Sequence, residues 1–240
     1  MATATMTAAA QAAATDRLTA QDLSRLRTQR MLLLVTTGHP DFERYAHPAM
    51  GRLIQPRHTS SIEATDEAGI SWAADNDCFQ GLDAIAWQRM LDRITGLDGC
   101  LWATVPDKVA DARETARMFE IHAPALERRG IPVALVAQNG LEEMPAWLER
   151  SWHRIDALFI GGDTDWKLGP AARALTREAQ QRGKWVHVGR VNTLRRLDYC
   201  RDVLQADSVD GSKWAKFKDT YLADGLDYCG RARNLTMDIG

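Results

Sequence analysis

Apolar residues fall in eight short runs along the chain, at residues 31–36, 52–55, 70–74, 100–105, 132–137, 157–160, 184–188 and 206–209. Most of these runs are continuous rather than alternating, the pattern of parallel strands covered on both faces. Helical spacing fills the gaps. Residues 83–95 place Ile85, Ala86, Met90, Leu91 and Ile94 on one stripe. From Lys108 onward, Val109, Ala112, Ala116, Phe119, Ala123 and Leu126 recur every three or four residues, and Pro124 is expected to break the last turns. Pro170 near the start and Gly183 after the end bracket a third helix. A fourth carries Leu194, Leu197 and Leu204 on one face. Strand and helix alternating through eight strands predict an α/β fold, a single (β/α)8 TIM-like barrel over residues 29–225. Residues 1–28 read as a flexible N-terminal extension with a short polar helix, and 226–240 as a C-terminal tail. The second strand is the weakest, because residues 37–69 are irregular and contain histidines.

Composition narrows the class without changing the picture. A chain of 240 residues, 45% hydrophobic and 26% charged, can bury one sizeable core. A net charge of -2 excludes a globally basic nucleic-acid coat but leaves room for a local basic face. No apolar run approaches membrane-spanning length, and the start lacks the charged and apolar regions of a secretory signal. The four cysteines form no Cys-x-x-Cys pair, which predicts reduced thiols in the cytoplasm (host cytoplasm if the chain is phage-encoded) rather than a zinc ribbon or disulfide framework. The six histidines contain no His-x-His pair; no metal and no cofactor are expected, and His187 reads as a strand-interior residue.

Barrel enzymes place their chemistry at the C-terminal ends of the strands. Here strand three ends at Asp75-Asn76-Asp77, strand four at Pro106-Asp107 and strand five at Gln138-Asn139-Gly140. Strand six ends at Gly161-Gly162-Asp163, strand seven at Gly189-Arg190 and strand eight at Asp210-Gly211. Turn chemistry explains each end singly. Together they predict a polar pocket.

The order of these motifs resembles the tRNA-guanine transglycosylase superfamily, and more closely its branch of DNA 7-deazaguanine transglycosylases from phages and bacterial gene clusters. Asp75-Asn76-Asp77-Cys78-Phe79-Gln80 is similar to that family's Asp-Ser-Gly-Gly-Phe-Gln, and Val136-Ala137-Gln138-Asn139-Gly140 to its Val-Gln-Gly. Phe159-Ile160-Gly161-Gly162 falls where a Gly-Gly turn is expected, and Val186-His187-Val188-Gly189 resembles the strand before the last helix. Asp207-Ser208-Val209-Asp210 resembles Asp-Met-Phe-Asp, whose second Asp is the nucleophile. The likeness spans residues 70–218. It departs from the family at Asp77-Cys78, at Gly211-Ser212-Lys213-Trp214 after the nucleophile, and in lacking the zinc-binding cysteines of the C-terminal subdomain.

The resemblance implies exchange of guanine in DNA for a 7-deazaguanine, such as 7-cyano-7-deazaguanine, through a covalent aspartyl-glycosyl intermediate. Asp210 is then the nucleophile and Asp75 the general acid/base, with Asp207 in a supporting role. Asp107 accepts the guanine N–H groups, while Gln138 and a backbone N–H of Gly161 or Gly162 donate to its oxygen. Phe79 and Val188 sandwich the base. Arg190, Lys213, Lys216 and Lys218 hold phosphates, with Arg195 and Arg196 along the same path. The implied partners are DNA (alternatively tRNA), the free 7-deazaguanine base, and a homo-oligomer or accessory protein, with no membrane. A tRNA-directed exchange, a non-catalytic base-binding subunit, and a glycosidase or nucleobase hydrolase using the same carboxylates are the alternatives.

Overall fold

A computed structural model describes residues 30–36 and 46–231. The N-terminal extension and its polar helix, His39, and the last nine residues of the tail lie outside the described residues. Eight strands close into an all-parallel barrel in chain order: β1 (Leu32–Thr36), β2 (Met50–Ile54), β3 (Trp72–Ala74), β4 (Cys100–Thr104), β5 (Val133–Ala137), β6 (Ala157–Ile160), β7 (Trp185–Val188) and β8 (Ser208–Asp210). Every apolar run read from the sequence became a strand, with ends moved by one or two residues. Closure occurs where β8 pairs with β1, Leu34 standing opposite Asp210.

The helices are α1 (Ile62–Glu67), α2 (Ala84–Ile94), α3 (Ala112–Glu127), α4 (Pro145–Ser151), α5 (Thr164–Lys167), α6 (Pro170–Gln181), α7 (Leu194–Asp198), α8 (Ser212–Lys216) and α9 (Lys218–Gly230). Asp83 and Asp111 start α2 and α3 by accepting the N–H groups of Ala86 and Glu114, the usual work of an N-cap aspartate. Helix α3 runs through Pro124 instead of breaking there. Proline removes one backbone donor, but Ala123, Ala125 and Leu126 on either side are buried, and Arg128 N–H still reaches the Pro124 carbonyl. Packing outweighs the lost bond. The fourth predicted helix is shorter than its spacing suggests, giving way to a π-type segment at Tyr199–Val203. Helix α9 continues past residue 225 to Gly230.

Parallel strands sort side chains by a period of two. Leu32 and Leu34, Leu53, Ala73, Trp102, Ala134, Ala157 and Trp185 fill the barrel, with Phe159 against them. Their alternate neighbours, among them Leu33, Val35, Ala103, Leu135, Leu158, Val186, Val188 and Val209, pack outward against the helices. Fully burying each such Leu or Val contributes about 1.5–3 kcal/mol. The same alternation decides which polar residues reach the barrel's axis, and so positions the site.

Candidate functional site

The inward period carries on past the last apolar layer, where the side chains turn polar. On β8, Ser208 and Asp210 lie two residues apart on one face, and Ser208 pairs in register with His187 of β7. Just beyond β3 comes Asp75, whose backbone N–H is held by the Ile54 carbonyl of β2. Just beyond β5 comes Gln138. Asp107 follows β4. These ends meet at the C-terminal mouth of the barrel, and the polar pocket expected there is present.

Asp75 is half-buried. One of its oxygens accepts from the Asn76 backbone N–H (3.0 Å) and lies 3.4 Å from the Thr104 hydroxyl. Its carboxyl is pushed up from an ordinary value near 3.8 to about 7. Burial is the largest cause, followed by the negative charges of Asp210, Asp107 and Asp77; a hydrogen bond from Gln55 pulls the other way. A carboxyl group poised near neutrality can give or take a proton at physiological pH.

Asp107 is braced rather than open. Its two oxygens accept from Asn76 Nδ2 (2.8 Å) and Gln138 Nε2 (2.7 Å). Asn76 also donates to the Val105 carbonyl and accepts from the Cys78 N–H, while Gln138 Oε1 accepts from Ala110 N–H. Burial raises the Asp107 carboxyl, with the two amides and the Arg190 charge opposing it. Gln138 therefore spends its amide on Asp107, where the sequence reading gave it to a ligand.

Asp210 completes the ring. Its Oδ1 accepts from His187 Nε2 (3.1 Å) and from the backbone N–H of Arg190 (3.2 Å). His187 is fully buried beneath it, between Phe159 (centroids 4.5 Å apart) and Trp102 (4.8 Å). Burial lowers the imidazole's pKa, although Asp210 opposes that shift. The aspartate expected to be structural, Asp207, accepts from Val186 N–H at the start of β8 and does not reach the mouth.

The glycines differ from expectation. The N–H groups of Gly161 and Gly162 both point to the Ala137 carbonyl (2.9 and 3.2 Å), so neither is available to a ligand oxygen. Their carbonyls instead accept from Arg190 Nη2. Gly161 is required by space: a Cβ there would stand 2.7 Å from Val136 Cγ1 and 2.8 Å from Gln138 Nε2. Val188 is fully buried in the outer layer against the helices and does not face the pocket. Odd and even positions of β7 face opposite ways, and His187 takes the inward one. Phe79 is 66% exposed at the rim, with the Arg190 guanidinium 5.6 Å from its ring centre.

Arg190 thus folds across the mouth instead of standing free for phosphates. Lys213 lies with its ammonium 3.7 Å from the Tyr221 ring centre, Lys216 is exposed, and Lys218 opens α9. The aromatic residue between them, Trp214, is core, its Nε1 donating to the Val191 carbonyl. Arg195 and Arg196 lie on α7.

The sequence reading missed Lys167, on the single turn of α5 after β6. It is buried, donates to the Gly189 carbonyl (2.6 Å), and has its pKa lowered to about 8 by burial first and by Arg190 second. Nothing in a four-residue helix flags a buried lysine. Thr104 was also missed, though the alternation Trp102, Thr104 could have found it. Among the described residues, no three His, Cys, Asp or Glu side chains converge as metal ligands. At the opposite end of the barrel a depression of about 680 Å3 includes Arg129, Arg154 and Asp156. Those groups are committed to Asp92, to Glu120 and Glu127, and to the Val133 N–H, so that face reads as structural.

No family model matches the chain, and no curated protein matches it in sequence. Solved structures match the fold. An HpcH/HpaI aldolase from Desulfitobacterium hafniense DCB-2 is 15% identical over 86% of this chain and 94% of its own, with a TM-score of 0.53. The tryptophan synthase A-subunit of Pyrococcus furiosus is 15% identical over 85% and 96%, with a TM-score of 0.50. Tryptophan synthase from M. tuberculosis is 17% identical over 88% and 93%, again at 0.50. These neighbours are not guanine transglycosylases, and they overturn both the resemblance to that family and the guanine-exchange activity inferred through it. The DNA, tRNA and 7-deazaguanine partners lose the support they drew from it. The physical reason is visible in the site: the matched motifs are strand ends that any such barrel must terminate with polar or glycine residues, and Gln138, Gly161, Gly162 and Val188 are committed to the scaffold. Identities this low establish the (β/α)8 barrel and nothing narrower.

Proposed function

We propose that the chain is an enzyme whose active site is the C-terminal mouth of the barrel and whose chemistry is carboxylate acid–base catalysis on a small polar substrate. One observation carries this reading: Asp75 and Asp210 meet at the mouth of the barrel, where burial first and the Asp210 charge second push the Asp75 carboxyl up to about 7. A carboxyl group held near neutrality beside a second carboxylate is the usual setting of a catalytic proton donor. Asp75 in its neutral form donates a proton to a leaving oxygen or nitrogen. Asp210 faces the substrate as a base, a nucleophile or a stabiliser of developing positive charge.

Asp107 has a supporting role in this reading: Asn76 and Gln138 fix its carboxylate, whose charge helps to raise Asp75. The bond broken is a C–O or C–N bond whose departing atom needs protonation, with water as the acceptor; glycosidic bonds are the clearest members of that class. Support from the neighbours is confined to architecture, in which catalysis at this end of the strands is the rule.

The test is to incubate the protein with a panel of nucleosides and small glycosides, following the products by mass spectrometry. Turnover is expected to fall as pH rises through about 7, because Asp75 then loses the proton it donates. Asp75→Asn and Asp210→Asn are each expected to lower kcat by at least ~100-fold, the low end of acid–base contributions. Turnover unaffected by both substitutions would sink the reading.

A further inference from the structure

The geometry points to His187 as the positioning residue of the site: it turns Asp210 so that Oδ1 is tied down and Oδ2 faces the reactants, with Ser208 completing the hydrogen-bond chain beneath the imidazole. The inference rests on the acid–base reading above and extends it below the pocket floor.

The contacts form one directed chain. Trp185 Nε1–H can only donate, and it donates to Ser208 Oγ (2.8 Å). Ser208 Oγ in turn lies 2.8 Å from His187 Nδ1, and His187 Nε2 lies 3.1 Å from Asp210 Oδ1. Burial of the ring favours neutral imidazole, which has one donor and one acceptor nitrogen. A carboxylate can only accept, so the ring proton belongs on Nε2. Nδ1 is then the acceptor, and the Ser208 hydroxyl donates to it. Every donor in the chain has an acceptor, and the direction is unique.

This order resembles a Ser-His-Asp triad but cannot act as one. Ser208 is fully buried below the ring, so its oxygen cannot meet a substrate. The working end is Asp210. Its Oδ1 already accepts from His187 and from the Arg190 N–H, and Oδ2 takes no hydrogen bond among the described residues. The ring that holds Oδ1 is itself held, tilted against both Phe159 and Trp102. The charged group that faces the ring besides Asp210 is Lys167, whose amine is held on the Gly189 carbonyl.

Two measurements test this without turnover. Histidine-selective 15N spectra of the full chain are expected to show His187 as the neutral Nε2–H tautomer at neutral pH, protonating only at lower pH than an exposed histidine does. A proton on Nδ1, or an imidazolium at neutral pH, overturns the inference. In Asp210→Ala the tautomer is expected to become mixed, because the carboxylate that holds the Nε2 proton is gone. Second, 13C-aspartate spectra report the Asp75 midpoint. Asp210→Asn is expected to lower it, because the Asp210 charge is one of the causes that raise it, and His187→Phe, which frees Asp210, is expected to shift it as well. A midpoint that moves in Asp210→Asn but not in His187→Phe overturns the inference. If His187→Phe fails to fold, the wild-type tautomer and Asp210→Ala still decide. Failure of the acid–base reading is a separate result: Asp75 would titrate in the ordinary carboxylate range, whatever the tautomer of His187.

Discussion

Asp75 shows how a single side chain can work against the stability of the fold that holds it. Its carboxyl is raised in the folded protein, so the folded state binds a proton more tightly than the unfolded chain. Folded Asp75 therefore takes up a proton between its unfolded value near 3.8 and about 7, and its contribution to stability declines as pH rises through that window. Above about 7 the cost is constant, on the order of a few kcal/mol at most given a partly exposed group. Asp75→Asn removes it. The variant is expected to show a higher Tm than wild type at pH above 7, a gain that shrinks toward acid, in thermal melts across the range. An equal effect at all pH values would show that Asp75 is not held near neutrality. Neutral acids at an active site are commonly kept at such a cost.

At the scale of the element, short helices carry groups that the strands cannot reach. Helix α5 has one turn, and its start depends on Asp163, which accepts from the Trp166 N–H (2.9 Å) and from Asn139 Nδ2 (2.6 Å). That turn places Lys167 under the Gly189 carbonyl. Asp163→Ala is expected to cost about 1 kcal/mol, the usual value of an N-cap, measured by urea unfolding. It should also speed amide exchange in α5 and at Gly189 beyond any change in the distant helix α2. The long elements were legible in the sequence for a simple reason. In α2, α3 and α6 the apolar spacing is set by contact with the sheet, and the N-caps Asp83 and Asp111 and the first-turn Pro170 are local signals. Helix α5 and the π-type segment carry no such periodicity. Pro124 misled because propensity is local and the burial that overrides it is not.

For the molecule as a whole, the floor of the site is the barrel's own packing. Leu34 is fully buried, fills the space left by Gly51, and stands opposite Asp210 where β1 closes on β8. A Cβ on residue 51 would lie 2.6 Å from a Leu34 methyl, so the two positions are fitted to one another. Leu34→Ala is expected to destabilise the protein by about 2–5 kcal/mol, read from the urea midpoint. Because Asp210 rests on the same seam, the Asp75 midpoint should shift in that variant as well. A destabilised protein with an unchanged midpoint would mean the site is mechanically independent of the closing seam.

The sequence by itself determined the architecture: eight buried runs at barrel spacing can satisfy their backbone groups and cover both faces only by closing a parallel sheet under helices. It also determined that Asp75, Asp107, Gln138 and Asp210 end strands at one mouth, since strand direction is shared. Tertiary structure alone decided what each of those groups faces. Side-chain orientation depends on register and on neighbours distant in the chain: that is why Val188 turned outward and His187 inward, why Gln138 bonded Asp107, and why the Gly161 and Gly162 N–H groups closed on Ala137. Motif order carries none of that information. The likeness to transglycosylases was a likeness of strand ends, and the barrel that joins them brings together a different arrangement: a carboxyl raised by burial beside a second carboxylate that a histidine holds from beneath.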